Sequence, residues 1–204
     1  MRDKKIWIFN AGNAFDGNPK WLFMYIVNYR KDITPYWFCY TEETRNYIRK
    51  LGYQAFLFKS KMAEKIGSQA GVYVVNQKKE VFQDYLKGIT VLNLWHGVGC
   101  KTVEKGVTYG FLNERIIKKH IINMDCYQNY QLFLVTSPLM EKHFIKQCDL
   151  AEDKIIRAGY PCCFYPGKIK TYDHDILKQK KLPEDTKIAV YAPTYRDASA
   201  TNFF

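Results

Sequence analysis

Residues 89–99 read ITVLNLWHGVG, an apolar, β-rich run that passes directly into a loop with two glycines. Short apolar runs bounded by turn residues are typical of strands buried on both faces of a parallel sheet. In open α/β sheets, ligands bind outside the carboxyl ends of the strands. The stretch therefore predicts a buried strand over residues 89–95, followed by a loop in the position where such folds place their functional groups.

Working outward from this stretch, similar runs alternate with segments of helical spacing. The other predicted strands are residues 5–10, 36–40, 53–58, 72–75, 131–136 and 154–158, and the predicted helices are 19–30, 42–51 and 138–148. Strand–helix alternation favours a mostly parallel sheet with helices on both faces. The predicted fold class is therefore α/β, with a Rossmann-like sheet.

The first predicted helix has an identifiable start. Asn18 is a candidate N-cap, and Pro19 suits the first helical position because it has no backbone N–H to leave unpaired. We expect one apolar stripe along the helix, formed by Leu22, Tyr25, Ile26 and Tyr29.

The predicted domain organisation has three parts. Residues 1–166 form the Rossmann-like domain, and residues 167–186 form a polar, lysine-rich linker with one short helix over 173–181. A further strand is predicted over 187–192. We expect residues 187–204 to be the start of a second domain that is truncated here.

Composition limits the classes of function. The chain has 204 residues, of which 47% are hydrophobic, so it can bury a core and is not a disordered tail. Its net charge of +11 predicts an anionic partner, such as polymer or nucleotide phosphates or an acidic lipid surface. The many aromatic residues suit a bilayer interface, stacked bases or simply an aromatic core beneath solvated lysines, and composition leaves these open.

The sequence predicts a cytoplasmic protein whose membrane contact is peripheral. Near the N-terminus only the run IWIF is apolar, which is too short for a signal-peptide core. The longest apolar run, residues 21–27, is far below the roughly 18 residues that a membrane helix requires. The cysteines have neither zinc-knuckle nor redox spacing, so we expect free thiols; they are Cys39, Cys100, Cys126, Cys148, Cys162 and Cys163.

The loop after residue 95 carries the first candidate site. Gly97 and Gly99 allow backbone N–H groups to approach an anion, and Lys101 adds positive charge. A Walker A loop and a dinucleotide fingerprint both fail here, because Cys100 and Thr102 stand where each motif needs glycine. His96 is a candidate general base. The alternative is a structural histidine at the end of a strand, and spacing alone leaves both open.

The second candidate site is YAPTYRDA, residues 191–198, where a predicted strand again runs into a loop. Thr194, Tyr195 and Arg196 make a plausible phosphate clamp, with Arg196 binding through its two-pronged guanidinium. The alternative is an ordinary turn with a surface Arg–Asp pair. The other three histidines, His120, His143 and His174, have no acidic partners at useful spacing and receive no role.

Taken in order, these motifs resemble the CDP-glycerol glycerophosphotransferase family. The similarity rests on GNPKWLFMYI (residues 17–26), on NQKKEVFQDYLKGITVLNLWHG (76–97), on GYP (159–161) and on YAPTYRD (191–197). The WHG motif alone is weak evidence for this family, whereas the ordered set of motifs is fairly specific for it. It covers about residues 18–197 of the chain.

The resemblance implies the N-terminal, acceptor-side half of a two-domain transferase of the GT-B type. Such an enzyme moves glycerol phosphate, or a related polyol phosphate, from a CDP-linked donor to a lipid-linked polymer and releases CMP. The family's motif histidine maps onto His96, which implies a general base for the acceptor hydroxyl. No cofactor, no metal site and no nucleic-acid partner is expected, and the contact with the inner face of the membrane is peripheral.

Departures from the family pattern leave alternatives open. The family usually continues GYP with Arg-Asn-Asp, whereas this chain has Cys162, Cys163 and Phe164. We expect the nucleotide-binding half to lie beyond residue 204, so that the chain alone is inactive. A GT-B-type glycosyltransferase of capsule or glycan synthesis, and a non-catalytic module that binds anionic polymer or membrane, are the two alternative functions.

Overall fold

Seven parallel strands form one sheet in the computed structural model, which describes residues 1–76, 83–99, 106–108, 110, 113–114, 117, 132–167, 177 and 180–191. The strands are β1 (Asp3–Phe9), β2 (Thr34–Cys39), β3 (Ala55–Leu57), β4 (Ala70–Val75), β5 (Thr90–Asn93), β6 (Leu132–Val135) and β7 (Ile155–Arg157). Every pairing between neighbouring strands is parallel. The predicted Rossmann-like sheet is confirmed.

The strand order β3-β2-β1-β4-β5-β6-β7 places a topological switch point between β1 and β4. On one side of it the chain adds strands toward β3, and on the other toward β7. The connecting helices diverge there, and this opens the crevice in which such sheets bind ligands. The carboxyl ends of β1, β4 and β5 therefore face the region where a ligand is expected.

Five helices accompany the described strands: α1 (Gly17–Tyr29), α2 (Glu42–Lys50), α3 (Lys61–Gln69), α4 (Pro138–Cys148) and α5 (Pro161–Phe164). Short 3₁₀ turns occupy Asp84–Leu86 and Glu152–Lys154. The hydroxyls of Thr41, Ser60 and Ser137 each accept a hydrogen bond from the backbone N–H three residues later, which fixes the starts of α2, α3 and α4. Of these helices, α3 and α5 are absent from the sequence-based prediction.

The helices cover both faces of the sheet, as predicted. One apolar cluster packs α3 and α4 against the strands, through residues such as Ile66 and Phe144. A second cluster packs α1 and α2 on the opposite face, through residues such as Phe23 and Ile48. A parallel sheet that is buried on both faces in this way explains the continuous apolar runs of its strands.

The prediction for α1 is wrong in two respects. The helix starts at Gly17 with Asp16 in the N-cap position, whereas Asn18 lies inside the first turn and is 2% exposed. Its amide hydrogen-bonds to a distant loop, so it is not free to cap the helix. The buried side of α1 is formed by Phe23, Met24 and Ile26, while Tyr25 and Tyr29 are exposed.

The chain divides into two compact units, Met1–Gly167 and Lys168–Phe204. Within the second, residues 187–191 are not in a strand, which corrects the predicted strand over 187–192 as far as it is described. Ile188 and Val190 are largely exposed. A short apolar run becomes a strand only when it pairs with a neighbour, and the described residues supply none here. Among the described helices, none is long and apolar enough to cross a membrane.

Candidate active site

The loop after β5 begins with a backbone conformation that is rare for its residue type. Trp95 has φ of 53°, in the left-handed region, where a bulky side chain is strained. Such strain costs about 1–3 kcal/mol and persists only where the surroundings enforce it. Because His96 follows directly, the conformation of Trp95 sets the direction in which the imidazole leaves the sheet.

Two buried asparagines hold Trp95 by its backbone. Its N–H donates to Oδ1 of Asn93 at 2.8 Å, and its carbonyl oxygen accepts from Nδ2 of Asn18 at 2.9 Å. Both asparagines are at most 2% exposed. The indole ring packs against Phe133 and Phe144, with centroids 5.6 and 5.2 Å away. The strained residue is therefore held from both faces of the sheet.

His96 lies on the exposed side of this loop. Its ring stacks on Trp95, with centroids 4.4 Å apart and planes 23° from parallel. The stacked indole removes water from one face of the imidazole, and this loss of hydration lowers the pKa of His96 below its ordinary value. The lowered pKa favours the uncharged ring at neutral pH, and the side chain is exposed, as a general base requires.

A third chain segment reaches the same loop from the end of β7. The hydroxyl of Tyr160 donates to the carbonyl oxygen of Gly97 at 2.7 Å. Burial raises the pKa of Tyr160, so the phenol stays protonated and remains a donor. The backbone N–H of Cys162 donates to Oδ1 of Asn18 at 3.4 Å. The segments around Asn18, His96 and Tyr160, which lie far apart in sequence, are thus joined by hydrogen bonds into one constellation.

The two glycines of the loop have different surroundings. A Cβ at Gly99 would come within 2.8 Å of Nε2 of His143 on α4, so close packing requires glycine there. At Gly97 a Cβ would meet no described atom within 4 Å. Of the two, the Gly97 backbone is therefore the one with open space beside it, where a ligand could approach.

Asparagines also stand at the carboxyl ends of β1 and β4. Asn10 is fully buried and bonds to the backbone of Gly12 and Phe38. Asn76 is 8% exposed, and its Nδ2 lies 2.8 Å from where a Cβ on Gly17 would stand. The amide of Asn10 is thus used by the backbone around it, whereas Asn76 and the start of α1 give the switch point a neutral environment suited to polar groups.

The predicted site residues fall into two groups. His96, Gly97 and Gly99 lie in the loop just described. Four predicted phosphate-binding residues lie outside the described residues: Lys101, Thr194, Tyr195 and Arg196. Within the described part of the chain, no group of three or more His, Cys, Asp or Glu side chains could hold a metal ion.

Sequence reasoning missed three contributors: Asn18, Asn93 and Tyr160. The capping rule assigns Asn18 to the start of a helix, and Asn93 falls inside a predicted strand. Asn18 and Tyr160 do fall within the Asn-Pro and Gly-Tyr-Pro segments that carry the family resemblance. That overlap was the available signal that they belong to the site.

Comparison with known proteins identifies the family. The whole chain, residues 1–204, matches the family described as CDP-glycerol:poly(glycerophosphate) glycerophosphotransferase. The chain belongs to this family. The resemblance drawn from the ordered motifs is confirmed, and the constellation of Asn18, His96 and Tyr160 is built from three of the segments that carried it. No curated protein matches the chain.

Solved structures show the same fold in a longer protein. The wall teichoic acid polymerase TagF superimposes with a TM-score of 0.72 and 20% identity, covering 96% of this chain and 49% of that one. A TagF variant soaked with CDPG for 30 minutes gives the same TM-score and identity, and there the match covers 50% of the longer chain. This member of the glycerophosphotransferase family therefore spans about half the length of the solved proteins that it matches.

Proposed function

We propose that this family member contributes to a transferase that moves glycerol phosphate, or a related polyol phosphate, from a CDP-linked donor to a hydroxyl on a lipid-linked polymer. CMP is the leaving group. The observation that carries the proposal is the loop after β5, where an accessible, uncharged His96 follows a strained residue held by Asn18 and Asn93. Family membership supplies the class of donor and polymer.

In the proposed reaction, His96 acts as general base. Its imidazole takes the proton of the acceptor hydroxyl while the oxygen attacks the phosphorus that carries the glycerol. A new P–O bond forms, and the P–O bond to CMP breaks with its electron pair on the leaving phosphate. For such in-line attack, positioning and charge neutralisation supply most of the acceleration.

The described residues support this role through position. Trp95 sets the direction of His96, and Tyr160 fixes the Gly97 carbonyl, so the backbone on both sides of the imidazole is anchored. A base that is held in place avoids the entropy loss of being ordered during the reaction. Lys101, Thr194, Tyr195 and Arg196 are proposed to neutralise the phosphates.

We propose further that residues 1–166 bind the acceptor and that residues 167–186 link them to a nucleotide-binding part that begins at 187. Two findings support this proposal. The sheet is contained within Met1–Gly167, and the solved structures that match are about twice as long as this chain.

The test of the reaction is CMP release from CDP-glycerol by the longest encoded form of the protein, with a short glycerol-phosphate lipid as acceptor. Replacing His96→Ala should lower acceptor-dependent release about 10²- to 10⁴-fold, the usual contribution of a general base. His174→Ala is the matched control, because that histidine has no proposed role. Unchanged release in His96→Ala would overturn the catalytic role. If the protein turned over CDP-ribitol or a nucleotide sugar but not CDP-glycerol, glycerol phosphate would not be the group that it transfers.

We also propose a cytoplasmic location with peripheral contact to an anionic membrane and no nucleic-acid partner. The net charge of +11 supports the contact, as does an exposed pair of tyrosine rings on α1, Tyr25 and Tyr29, with centroids 5.2 Å apart. The protein should sediment with phosphatidylglycerol vesicles and not with phosphatidylcholine vesicles, and Tyr25→Ser/Tyr29→Ser should weaken this binding. Equal sedimentation with both lipids would contradict the proposal.

A further inference from the structure

Two adjacent cysteines occupy the first turn of α5. Cys162 and Cys163 are both exposed, and their Sγ atoms lie 3.8 Å apart, within hydrogen-bonding reach of each other. By contrast, Cys39 and Cys148 are buried in the two apolar clusters. Side chains at neighbouring helical positions ordinarily point in different directions. Here the two thiols converge on one point at the surface.

A disulfide between these two residues would be strained. Consecutive Cα atoms are about 3.8 Å apart across a trans peptide, whereas disulfide-linked Cα atoms usually lie about 4.4–6.8 Å apart. Strained disulfides have more oxidising potentials and are readily reduced. The pair is therefore suited to act as a dithiol, with both sulfur atoms available to a third atom.

The number and type of ligands that the pair offers limit which metal or metalloid it can bind. Structural zinc takes four protein ligands, and among the described residues no group of three or more His, Cys, Asp or Glu side chains is placed to hold a metal ion. Sulfur ligands favour soft centres. We propose that Cys162 and Cys163 form a two-thiol binding site for a soft, thiophilic metal or metalloid of low coordination number, such as trivalent arsenic or Cu(I).

Capture of an arsenical by this pair balances without an oxidant. An organic arsenic oxide exchanges its oxygen for two sulfur atoms: two S–As bonds form, the As–O bond breaks, and the two thiol protons leave with that oxygen as water. No electrons are transferred. Burial and the neighbouring thiol raise the pKa of Cys162. The thiolate is the reacting form of a cysteine, so capture is faster at higher pH.

Hydrogen bonds connect the cysteine pair to the loop after β5. The backbone N–H of Cys162 donates to Asn18, whose amide in turn holds the carbonyl of Trp95. An atom bound across the two thiols would thus sit on the short helix that contacts this asparagine. The proposal itself is independent of the transfer reaction, since it concerns the thiols alone.

Phenylarsine oxide tests the site directly. The longest encoded form, carrying Cys100→Ser and Cys126→Ser so that these two thiols cannot contribute, is titrated and analysed by intact-protein mass spectrometry. We expect one adduct per chain, with the loss of one water, that is removed by a small dithiol and resists an equal concentration of a monothiol. Absence of this adduct, or its ready removal by the monothiol, would overturn the proposal.

Single replacements separate two-point capture from ordinary thiol reactivity. Cys162→Ser and Cys163→Ser should each weaken binding by more than about 100-fold, because the second thiol acts at high effective concentration. Serine retains the backbone N–H that reaches Asn18, and circular dichroism checks that each variant is folded. Equal affinity of either single variant and its parent would contradict a two-thiol site.

Discussion

Strands β1 and β5 end in the same local turn, yet the two turns have different properties. Each turn begins with a fully buried asparagine whose Oδ1 accepts the N–H two residues later: Asn10 from Gly12 at 3.0 Å and Asn93 from Trp95 at 2.8 Å. In both turns that later residue has a left-handed backbone, with φ of 76° at Gly12 and 53° at Trp95. Glycine adopts this conformation without penalty, whereas tryptophan does not.

The side-chain amides of the two asparagines also differ in their hydrogen bonding. Nδ2 of Asn10 donates to the carbonyls of Gly12 and Phe38, so its amide is fully used. Nδ2 of Asn93 has no hydrogen-bond partner among the described residues. The β1 turn is therefore relaxed and closed, whereas the β5 turn stores strain next to an exposed histidine. We infer that the first turn serves stability and the second serves the site.

Removing the β1 amide should have the largest effect on folding. Asn10→Ala leaves the carbonyl of Phe38 and the N–H of Gly12 without their partner, and we expect the free energy of unfolding to fall by about 2–3 kcal/mol. Urea unfolding followed by circular dichroism measures it. A loss below about 0.5 kcal/mol, the size of an ordinary surface substitution, would show that the β1 turn is not a stabilising element.

A pair of glycine substitutions sharpens the contrast. Gly12→Ala places a Cβ on a left-handed residue and should cost about 1–2 kcal/mol of unfolding free energy. Gly97→Ala meets open space and should stay within about 0.5 kcal/mol, while lowering transfer activity if a ligand approaches that backbone. Thermal unfolding of both variants, beside CMP release, gives the comparison. Equal destabilisation by the two substitutions would remove the distinction between the turns.

The Tyr160 hydroxyl should contribute less to the free energy of unfolding. Tyr160→Phe deletes its hydrogen bond to the Gly97 carbonyl and should lower the free energy of unfolding by about 0.5–1.5 kcal/mol. Because that bond anchors the loop, kcat should fall more than KM rises. Tyr85→Phe, which deletes a comparable hydrogen bond to the carbonyl of Phe58, is the control. A Tyr160→Phe enzyme with unchanged kcat would mean that the bond does not position His96.

The smallest effect concerns the protonation of His96. Loss of hydration lowers its pKa, so the imidazole should titrate below 6.5 in an NMR pH series, with His96→Gln assigning the resonance. For a depressed pKa, the folded state disfavours the proton, and its contribution to stability is present above pH 6.5 and is lost as the pH falls. The acid limb of kcat/KM should follow the same lowered value. A midpoint above 6.5 would contradict the stacked, partly desolvated environment.

Much of the fold followed from the sequence because its signal is local. Parallel strands buried on both faces leave continuous apolar runs, and each of the seven predicted runs overlaps a strand of the sheet. The loop carrying His96 was located for the same reason. The apolar run at residues 187–191 was the exception, since a strand depends on a pairing partner that local sequence does not reveal.

The supports of the site were not predictable from local patterns. Asn18 satisfies the usual rule for a helix cap, yet its partner, the Trp95 carbonyl, lies 77 residues away. A left-handed tryptophan has no sequence signature, because the surrounding fold imposes that conformation. On α1, the sequence does not show whether the side with Tyr25 and Tyr29 or the side with Phe23 packs against the sheet. These features depend on tertiary contacts, which spacing along the chain cannot report.

The most direct test of the central claim compares the two asparagines in one assay. Acceptor-dependent CMP release from CDP-glycerol is measured per folded molecule for Asn93→Ala and Asn10→Ala in the longest encoded form. Misplacing a catalytic group by about 1 Å can cost about 100-fold in rate, so Asn93→Ala should lower kcat by about 10- to 100-fold. Asn10→Ala should keep its kcat although it unfolds more easily. Full kcat in Asn93→Ala, or equal losses in both variants, would contradict the assignment of the β5 turn to the site.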